Sequence, residues 1–222
     1  AGLQPRTAVG NPYGDGYYDD FNTAVGLDSA GRTQLHHKGK LVIGVENTPT
    51  VIFDLMQFLV IDLGGVVGQI GMGQHGTAFA HAGMRMGPAI CYEGLYGDFY
   101  GDFVRRGAQF MAIISNDGWW GDTPGYKHLF TISRLRAIEH RRAIARSANT
   151  GMSGFISARG DIGETLGWEK RGVISAAVPL NSELTFYTRY GDYLGRIAEY
   201  LTLLCVLYYI AYRVKRENYL VK

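Results

Sequence analysis

The chain has 222 residues, a formal net charge of +2 and 46% hydrophobic residues. This length suits one α/β domain with a small appendage, and the hydrophobic content is high enough for a packed core, which excludes a disordered chain. A net charge this small gives no reason to expect a nucleic-acid partner. The two cysteines, Cys91 and Cys205, do not make a disulfide framework.

The first regular elements are predicted after a turn-rich stretch that covers residues 1–20. Phe21–Leu27 and Thr33–His37 have the composition of strands, and Asp28–Arg32 between them has the composition of a hairpin turn. The sequence therefore predicts a β-hairpin near the start of the chain.

A strongly apolar segment follows at Val51–Leu63, and it is too short to span a bilayer. Burial as a helix is the prediction, because large apolar side chains are usually buried, and an exposed apolar flap is the alternative. Residues 64–76 contain six glycines, which predicts a mobile loop.

The middle of the chain alternates predicted strands with predicted helices, which indicates a layered α/β fold. Helices are predicted around Tyr96–Gly107 and over Tyr126–Arg146. In the second helix, Arg134, Arg141 and Arg142 are expected outside, on a solvated or salt-bridged face. The predicted strands of this region are residues 77–82, 87–91 and 110–115, then Met152–Ala158 and Val173–Val178.

Tyr193–Tyr212 is a helical segment of bilayer length near the C-terminus. Charged residues interrupt its first turns, so the purely apolar part is Tyr200–Tyr212. Tyrosines at both ends and basic residues directly after it are typical of a membrane span with a cytoplasmic flank. We predict a transmembrane helix, and a core or amphipathic helix is the alternative.

Cys91 ends an apolar strand and precedes a turn, which is how a strand presents a nucleophile. A thiol also needs a base and a cation or backbone donors for the oxyanion. No histidine has a diagnostic spacing, and His75 with His81 is too sparse a pattern to predict a metal. Lys38, by contrast, precedes Glu46 by eight residues and the cysteine by about fifty.

This order of lysine, glutamate and cysteine resembles the carbon–nitrogen hydrolase (nitrilase) superfamily, and most closely its apolipoprotein N-acyltransferase family. The nucleophile motif Ile-Cys-Tyr-Glu is intact at Ile90–Glu93, and Ser115–Asp122 matches the family's Ser-Asn-Asp-x-Trp-Phe-Gly. Arg146–Gly151 and Thr188–Asp192 match later motifs. Lys38–Glu46 matches the family's lysine motif in part. Where the family has His-Leu-Val-Pro-Phe, this chain has Lys-Leu-Val-Ile-Gly, beginning at Lys40.

The resemblance implies an α/β fold of the nitrilase type, an α-β-β-α sandwich that is incomplete in this chain, with a C-terminal transmembrane helix. It implies a catalytic domain over residues 1–192, truncated at its N-terminus, and a membrane helix with a basic cytoplasmic tail over 193–222. By resemblance, Cys91 is the nucleophile that carries an acyl chain as a thioester, and Lys38 stabilises the oxyanion. The implied supporting residues are Glu46, Tyr92, Glu93, Asn116, Trp119 and Trp120.

The implied reaction takes an acyl chain from a phospholipid donor. The acceptor is the N-terminal amine of diacylglyceryl-cysteine on an apolipoprotein. The implied place is the bacterial inner membrane, with the catalytic domain facing the periplasm, and no cofactor, metal or nucleic acid is expected.

The family places a general-base glutamate well upstream of its lysine, and this chain has no glutamate before Glu46. We therefore expect a C-terminal fragment of a longer enzyme, inactive by itself. Two alternatives remain open at this point. One is a soluble amidase or nitrilase of the same superfamily, and the other is an inactive, membrane-tethered binding domain.

Overall fold

A computed structural model describes residues 20–42, 46 and 70–220 of the chain. Strands and helices alternate through its middle, as the sequence predicts. The strands are β1 (Thr23–Leu27), β2 (Thr33–His37), β3 (Phe79–His81), β4 (Met84–Ile90), β5 (Phe110–Ser115), β6 (Ile144–Ala148), β7 (Ser153–Ile156) and β8 (Ile162–Leu166). The helices are α1 (Gly97–Arg105), α2 (Pro124–His140), α3 (Phe186–Tyr190) and α4 (Tyr193–Leu220).

Strands β3 to β8 form one six-stranded sheet in sequential order. The central strands β4, β5 and β6 are parallel, and the outer strands pair in antiparallel fashion. Parallel neighbours need crossover connections, and α1 and α2 supply them. Both helices share one apolar cluster with the sheet, so they cover the same face; the cluster includes Tyr100, Phe103, Met111, Ile113, Phe130, Ala137 and Ile144.

The β1–β2 hairpin packs on the opposite face of this sheet. Ala24 of the hairpin forms a second apolar cluster with Phe79 and Ile90. Because successive side chains of a strand point to opposite faces, Ala89 of β4 faces the helices while Ile90 faces the hairpin. The resulting order of helices, sheet and hairpin is the incomplete nitrilase-type sandwich that the resemblance implied.

Helix α2 ends earlier than the sequence predicted, and its buried face is different. Arg141 adopts a left-handed backbone with φ of 51° and stops the helix, and strand β6 follows. Of the arginines predicted to lie outside, Arg141 is exposed, but Arg142 is buried while Leu135 and Ile138 are exposed. The long guanidinium side chain of Arg142 reaches buried oxygen atoms, which satisfies its polar groups.

The predicted strand at Val173–Val178 is wrong, since these residues belong to no strand and Val173 is 95% exposed. The edge of the sheet is formed instead by β8, which pairs with β7 across a turn near Arg159 and which the sequence did not predict. The predictions for residues 1–19, for Val51–Leu63 and for residues 64–69 of the glycine-rich stretch lie outside the described residues.

The C-terminal helix α4 exposes large apolar side chains between Leu194 and Tyr212. Tyr193–Arg213 is long and apolar enough to cross a membrane, with a mean hydropathy of 1.4, and none of its most apolar window is buried against the rest of the chain. At a rise of 1.5 Å per residue, this segment is about 31 Å long, close to the hydrocarbon thickness of a bilayer. The structure therefore has a candidate membrane span where the sequence predicted one.

Candidate active site

Cys91 lies in a sharp turn at the end of β4. A short 3-10 helix over Cys91–Leu95 follows the strand directly, and Cys91 itself has a φ of 48°. This left-handed conformation costs a non-glycine residue roughly 1–2 kcal/mol, and backbone strain of this kind collects at functional sites. The turn holds a partly exposed thiol at the edge of the sheet, where a nucleophile can meet a substrate.

A cavity of about 490 Å³ opens beside this thiol, which is a size typical of small-molecule sites. Its walls bring together residues that are far apart in the sequence, among them seven of those implied by the resemblance. The eighth, Glu93, does not line it. The described lining residues are Asn22, Lys38, Val42, Glu46, Ile90, Cys91, Tyr92, Ile114, Asn116, Trp119, Trp120 and Leu129.

Lys38 and Glu46 form an ion pair on one wall of the cavity. Lys38 Nζ donates to the Oε1 and Oε2 atoms of Glu46 at 2.8 and 2.7 Å. The same carboxylate accepts hydrogen bonds from Asn22 Nδ2 and from the Val42 N–H. Burial alone would raise the pKa of Glu46, but these hydrogen bonds and the lysine charge outweigh it and hold the pKa below its usual value.

The ammonium group of Lys38 therefore lies beside a carboxylate that other hydrogen bonds hold in place. An ammonium has three N–H groups, and Glu46 takes two of them. No described residue accepts the third, so it can bind an oxygen atom of a substrate in the cavity. Asn22, which sequence reasoning missed, helps to hold the carboxylate, and its only sequence signal is its position just before β1.

Glu93 is completely buried and ties together the two loops that carry the lysine and the cysteine. Its carboxylate accepts the N–H of Gly39 and the N–H of Ile90, both at 2.6 Å. His36 Nε2 lies 3.1 Å from both carboxylate oxygens. Gly39 follows the lysine and Ile90 precedes the cysteine, so Glu93 fixes their separation. His36 was missed, although it alternates in β2 with the exposed Leu35.

The turn after β5 forms the opposite wall of the cavity. Trp119 and Trp120 are each about half exposed, at 49% and 44%, and both line the cavity. Asn116 Oδ1 accepts a hydrogen bond of 2.6 Å from Asn149 Nδ2. The ring of Trp120 packs on Gly125 at the start of α2, where a Cβ atom would lie only 2.3 Å from the ring. These contacts fix the Asn116–Trp120 turn against the helix.

A buried ion pair lies behind this turn. Arg146 Nη2 is 2.9 Å from each carboxylate oxygen of Asp117, and both side chains are almost completely buried. Ser115 Oγ donates to the same carboxylate at 2.5 Å. Sequence reasoning placed Arg146 on a solvated or salt-bridged face at the end of the helix; the ion pair is present, but it is buried and Arg146 lies in β6. The signal that predicts otherwise is its position in β6 beside Ile113 of β5, the strand that leads into the turn.

The site thus combines a strained thiol, a charged lysine held by a carboxylate, and largely apolar walls. A thiolate attacks carbonyl carbon atoms, and a cation beside it stabilises the oxyanion that forms. Within the described part of the chain, no cluster of three or more potential metal ligands occurs. The geometry suits nucleophilic acyl chemistry on a substrate with an apolar substituent.

This fold and this site agree with a match to the carbon–nitrogen hydrolase family model over residues 2–184. The chain belongs to the carbon–nitrogen hydrolase family. An amidase of the nitrilase superfamily from Nesterenkonia AN1, solved as a cysteine-to-alanine mutant, has a TM-score of 0.53 and 16% identity. The match covers 78% of this chain and 60% of the amidase, and it supports the fold alone.

Among curated proteins, the chain is similar to an apolipoprotein N-acyltransferase of Chlorobaculum tepidum, with 36% identity over 181 residues. That match covers 79% of this chain and 34% of the relative. An apolipoprotein N-acyltransferase of Rhizobium meliloti is 42% identical over 97 residues, which is 44% of this chain and 18% of the relative. The chain therefore spans about a third or less of the length of these relatives.

Proposed function

We propose that this chain carries the nucleophile of an apolipoprotein N-acyltransferase. The observation that supports this most strongly is the position of Cys91, which opens onto the same apolar-walled cavity as the Lys38–Glu46 ion pair. A cavity with such walls suits a long acyl chain. The candidate membrane span at Tyr193–Arg213 would keep the site next to a lipid donor.

In the first half-reaction, the thiolate of Cys91 attacks the ester carbonyl carbon of a phospholipid. The carbonyl oxygen becomes an oxyanion, and the ammonium of Lys38 stabilises it. The ester C–O bond then breaks, a C–S bond remains, and the lysophospholipid leaves as an alcohol after it takes a proton. The enzyme now holds the acyl chain as a thioester.

In the second half-reaction, the α-amine of a diacylglyceryl-cysteine attacks the thioester carbonyl. A C–N bond forms and the C–S bond breaks, so the product is an amide and the thiolate of Cys91 is regenerated. The amine loses one proton to a base. Lys38 again stabilises the oxyanion, and Tyr92, Asn116 and the two tryptophans of the cavity hold the substrates.

The base in both steps is proposed to be the glutamate that the family carries well upstream of its lysine, and this chain has no glutamate before Glu46. Glu46 already accepts four hydrogen bonds, and Glu93 is buried with both oxygens occupied. General-base catalysis is typically worth about 10²–10⁴-fold, so we propose that this 222-residue chain alone transfers acyl groups slowly. Turnover within about tenfold of a chain that carries the upstream glutamate would contradict this.

We further propose two domains, a catalytic domain over residues 1–192 and a membrane helix with a basic tail over 193–222. Basic residues flank membrane spans on the cytoplasmic side, and Arg213, Lys215 and Arg216 follow the apolar segment. The tail would then be cytoplasmic and Cys91 periplasmic, at a bacterial inner membrane. Labelling of single cysteines placed near residues 30 and 218 tests this, and equal labelling from the periplasm would contradict it.

The central test is the covalent adduct. The full-length protein that carries the upstream glutamate is incubated with a phospholipid that has a labelled acyl group, and the adduct is located by mass spectrometry. We expect a hydroxylamine-sensitive adduct on Cys91, lost in Cys91→Ala. It should persist in Cys205→Ala, which removes the other free cysteine. An adduct that survives Cys91→Ala, or no adduct on a protein whose Cys91 still reacts with iodoacetamide, would refute the proposal.

Amide hydrolysis is the second candidate, because a thioester at this site can also react with water. The described residues of the site are compatible with both reactions, and the exposed apolar helix α4 favours the lipid substrate. Release of free fatty acid in the presence of an acceptor lipopeptide, without formation of its amide, would favour the hydrolase.

A further inference from the structure

Three polar residues support the Asn116–Trp120 turn from behind, and none of them lines the cavity. They are Asp117, Arg146 and Asn149, which we call the turn anchor. Two of them are charged and buried, which is costly unless the charges are paired and hydrogen-bonded. A surface turn has no need of such a pair, so its presence requires a reason.

We propose that the turn anchor is a positioning device that sets the shape of the tryptophan wall. In this way it determines whether a long apolar substituent can reach the thiol of Cys91. The inference concerns the cavity itself and does not depend on which acyl donor or acceptor the protein uses.

The bonds of Asp117 support this inference because they use its main chain as well as its side chain. Its N–H donates to Asn149 Oδ1 at 3.0 Å, and its carbonyl accepts the N–H of Trp120 at 3.1 Å. Its carboxylate binds Arg146 and Ser115. One residue therefore links the turn, the end of β5 and the interior of the sheet.

The other two members connect the turn to neighbouring strands. Arg146 Nε donates to the Met152 carbonyl, which joins β6 to the start of β7. Asn149 accepts from the Asp117 N–H and donates to Asn116 Oδ1 at 2.6 Å. Gly151 leaves the space that the anchor needs, since a Cβ atom there would lie 2.1 Å from Asp117 Oδ2.

The anchor and the thiol are on different elements, which makes their effects separable. Cys91 is positioned by the end of β4 and by the Glu93 hydrogen bonds. Loosening of the anchor should therefore let Trp119 and Trp120 move, while the thiol keeps its reactivity toward a small reagent.

The experiment compares two alkylating reagents with the same reactive group, iodoacetamide and N-dodecyl iodoacetamide. Rates of Cys91 alkylation are measured in a Cys205→Ala background for Asp117→Asn, Asn149→Asp and Arg146→Lys. We expect the rate with the small reagent to stay within about twofold and the rate with the long reagent to fall about tenfold or more, since a small misplacement in a site has effects of this size.

Arg142→Lys is the matched control, because Arg142 is an equally buried arginine whose hydrogen bonds go to carbonyls away from the turn, including Ala108 and Glu183. It should leave the ratio of the two rates unchanged. Equal losses for both reagents in the anchor variants, or the same change of ratio in the control, would overturn the proposal.

A second measurement, made on variants that fold, reports on the tryptophan wall directly. The chain has three tryptophans, so Trp168→Phe leaves only Trp119 and Trp120 as fluorophores. Acrylamide quenching of their emission should increase in the anchor variants and stay unchanged in Arg142→Lys. Unchanged quenching in a folded Arg146→Lys protein would show that the wall does not depend on the anchor.

Discussion

The two ion pairs on opposite sides of the cavity have similar geometry and differ in what they leave free. Lys38 and Glu46 line the cavity, and their N–O distances are 2.7 and 2.8 Å. Arg146 and Asp117 are joined by two distances of 2.9 Å but lie behind the wall. The first pair can therefore act on a substrate, while the second can only hold the protein's own structure.

The choice of cation follows this difference. A lysine ammonium is a compact point charge with rotatable donors, whereas the planar guanidinium of arginine fits a carboxylate in a fixed, two-pronged geometry. The lysine of the cavity keeps one donor for a reacting oxygen. The arginine behind the turn also binds the Met152 carbonyl, so it serves as a rigid brace. Variants of each pair can test whether Lys38 and Glu46 act in catalysis while Arg146 and Asp117 support the structure.

The largest effect is expected on stability, from the buried pair. Arg146→Met leaves the Asp117 carboxylate buried without its cation, which should lower the free energy of unfolding by about 3–5 kcal/mol. Denaturation of the detergent-solubilised chain measures this. The double variant with Asp117→Asn should recover part of the loss, because the stranded charge is removed. Equal stability of the single variant and the original protein would contradict the assigned role.

The next largest effect is expected on chemistry, from the pair that lines the cavity. Lys38→Met should slow formation of the Cys91 acyl adduct by about 10²–10³-fold, as loss of an oxyanion donor does. Its effect on stability should be smaller than that of Arg146→Met, because Glu46 keeps its other donors and borders the cavity. Lys40→Met is the control, since that lysine lies over the rings of Tyr96 and Phe99. A similar slowing in both variants would contradict the prediction.

A smaller effect is expected when the carboxylate of the same pair is neutralised. Glu46→Gln keeps the shape of the side chain but removes the charge that holds Lys38, so adduct formation should fall about tenfold, roughly the value of one charged hydrogen bond. The lowered pKa of Glu46 means that its stabilising effect is present above its usual pKa and is lost as pH falls through the lowered value. Glu46→Gln should remove this loss of stability at acid pH. The same acid denaturation curve in Glu46→Gln and the original protein would contradict the prediction.

Much of the fold could be predicted from local sequence. The hairpin at Thr23–His37 and the strand that ends at Ile90 follow from short apolar runs bounded by turn formers. The end of α2 could not be predicted, because Arg141 takes a left-handed conformation that most non-glycine residues avoid. Strand β8 was missed because only β7 gives it a partner, and pairing of strands is not a local property.

The candidate site divides in the same way. Its cavity-facing members, Cys91 and Lys38 among them, belong to motifs that can be read in the sequence. The residues that support them from behind were missed or assigned to solvent. His36 meets Glu93 across 57 positions of the chain, and Arg146 meets Asp117 across 29. A sequence pattern shows which residues are polar. Which of these polar groups form hydrogen bonds with each other depends on the packed structure.

Another buried basic group, His140, avoids the need for a carboxylate because it remains uncharged. Its Nε2–H donates to the Gly97 carbonyl, and its Nδ1 accepts from the Thr188 hydroxyl. Burial first, then the charge of Arg136, lowers its pKa to about 3, although the Gly97 hydrogen bond acts in the opposite direction. Arg105 and Arg142 nearby add to the lowering, and Glu139 Oε2 lies 3.9 Å away.

The smallest predicted effect is the pH dependence that this neutral histidine produces. An unfolded chain binds a proton at His140 near pH 6.5, whereas the folded protein does not, so stability is fully present above that pH and falls below it. Between pH 7 and 6, this one group should lower the free energy of unfolding by about 0.7 kcal/mol. His140→Gln should remove this part of the slope, measured by thermal unfolding in detergent at both pH values. His128→Gln, which changes an exposed histidine of the same helix, should leave the slope as it is. An identical slope in His140→Gln and the original protein would mean that His140 is protonated in the folded state. A buried imidazolium would then need a counter-charge, as Lys38 and Arg146 do.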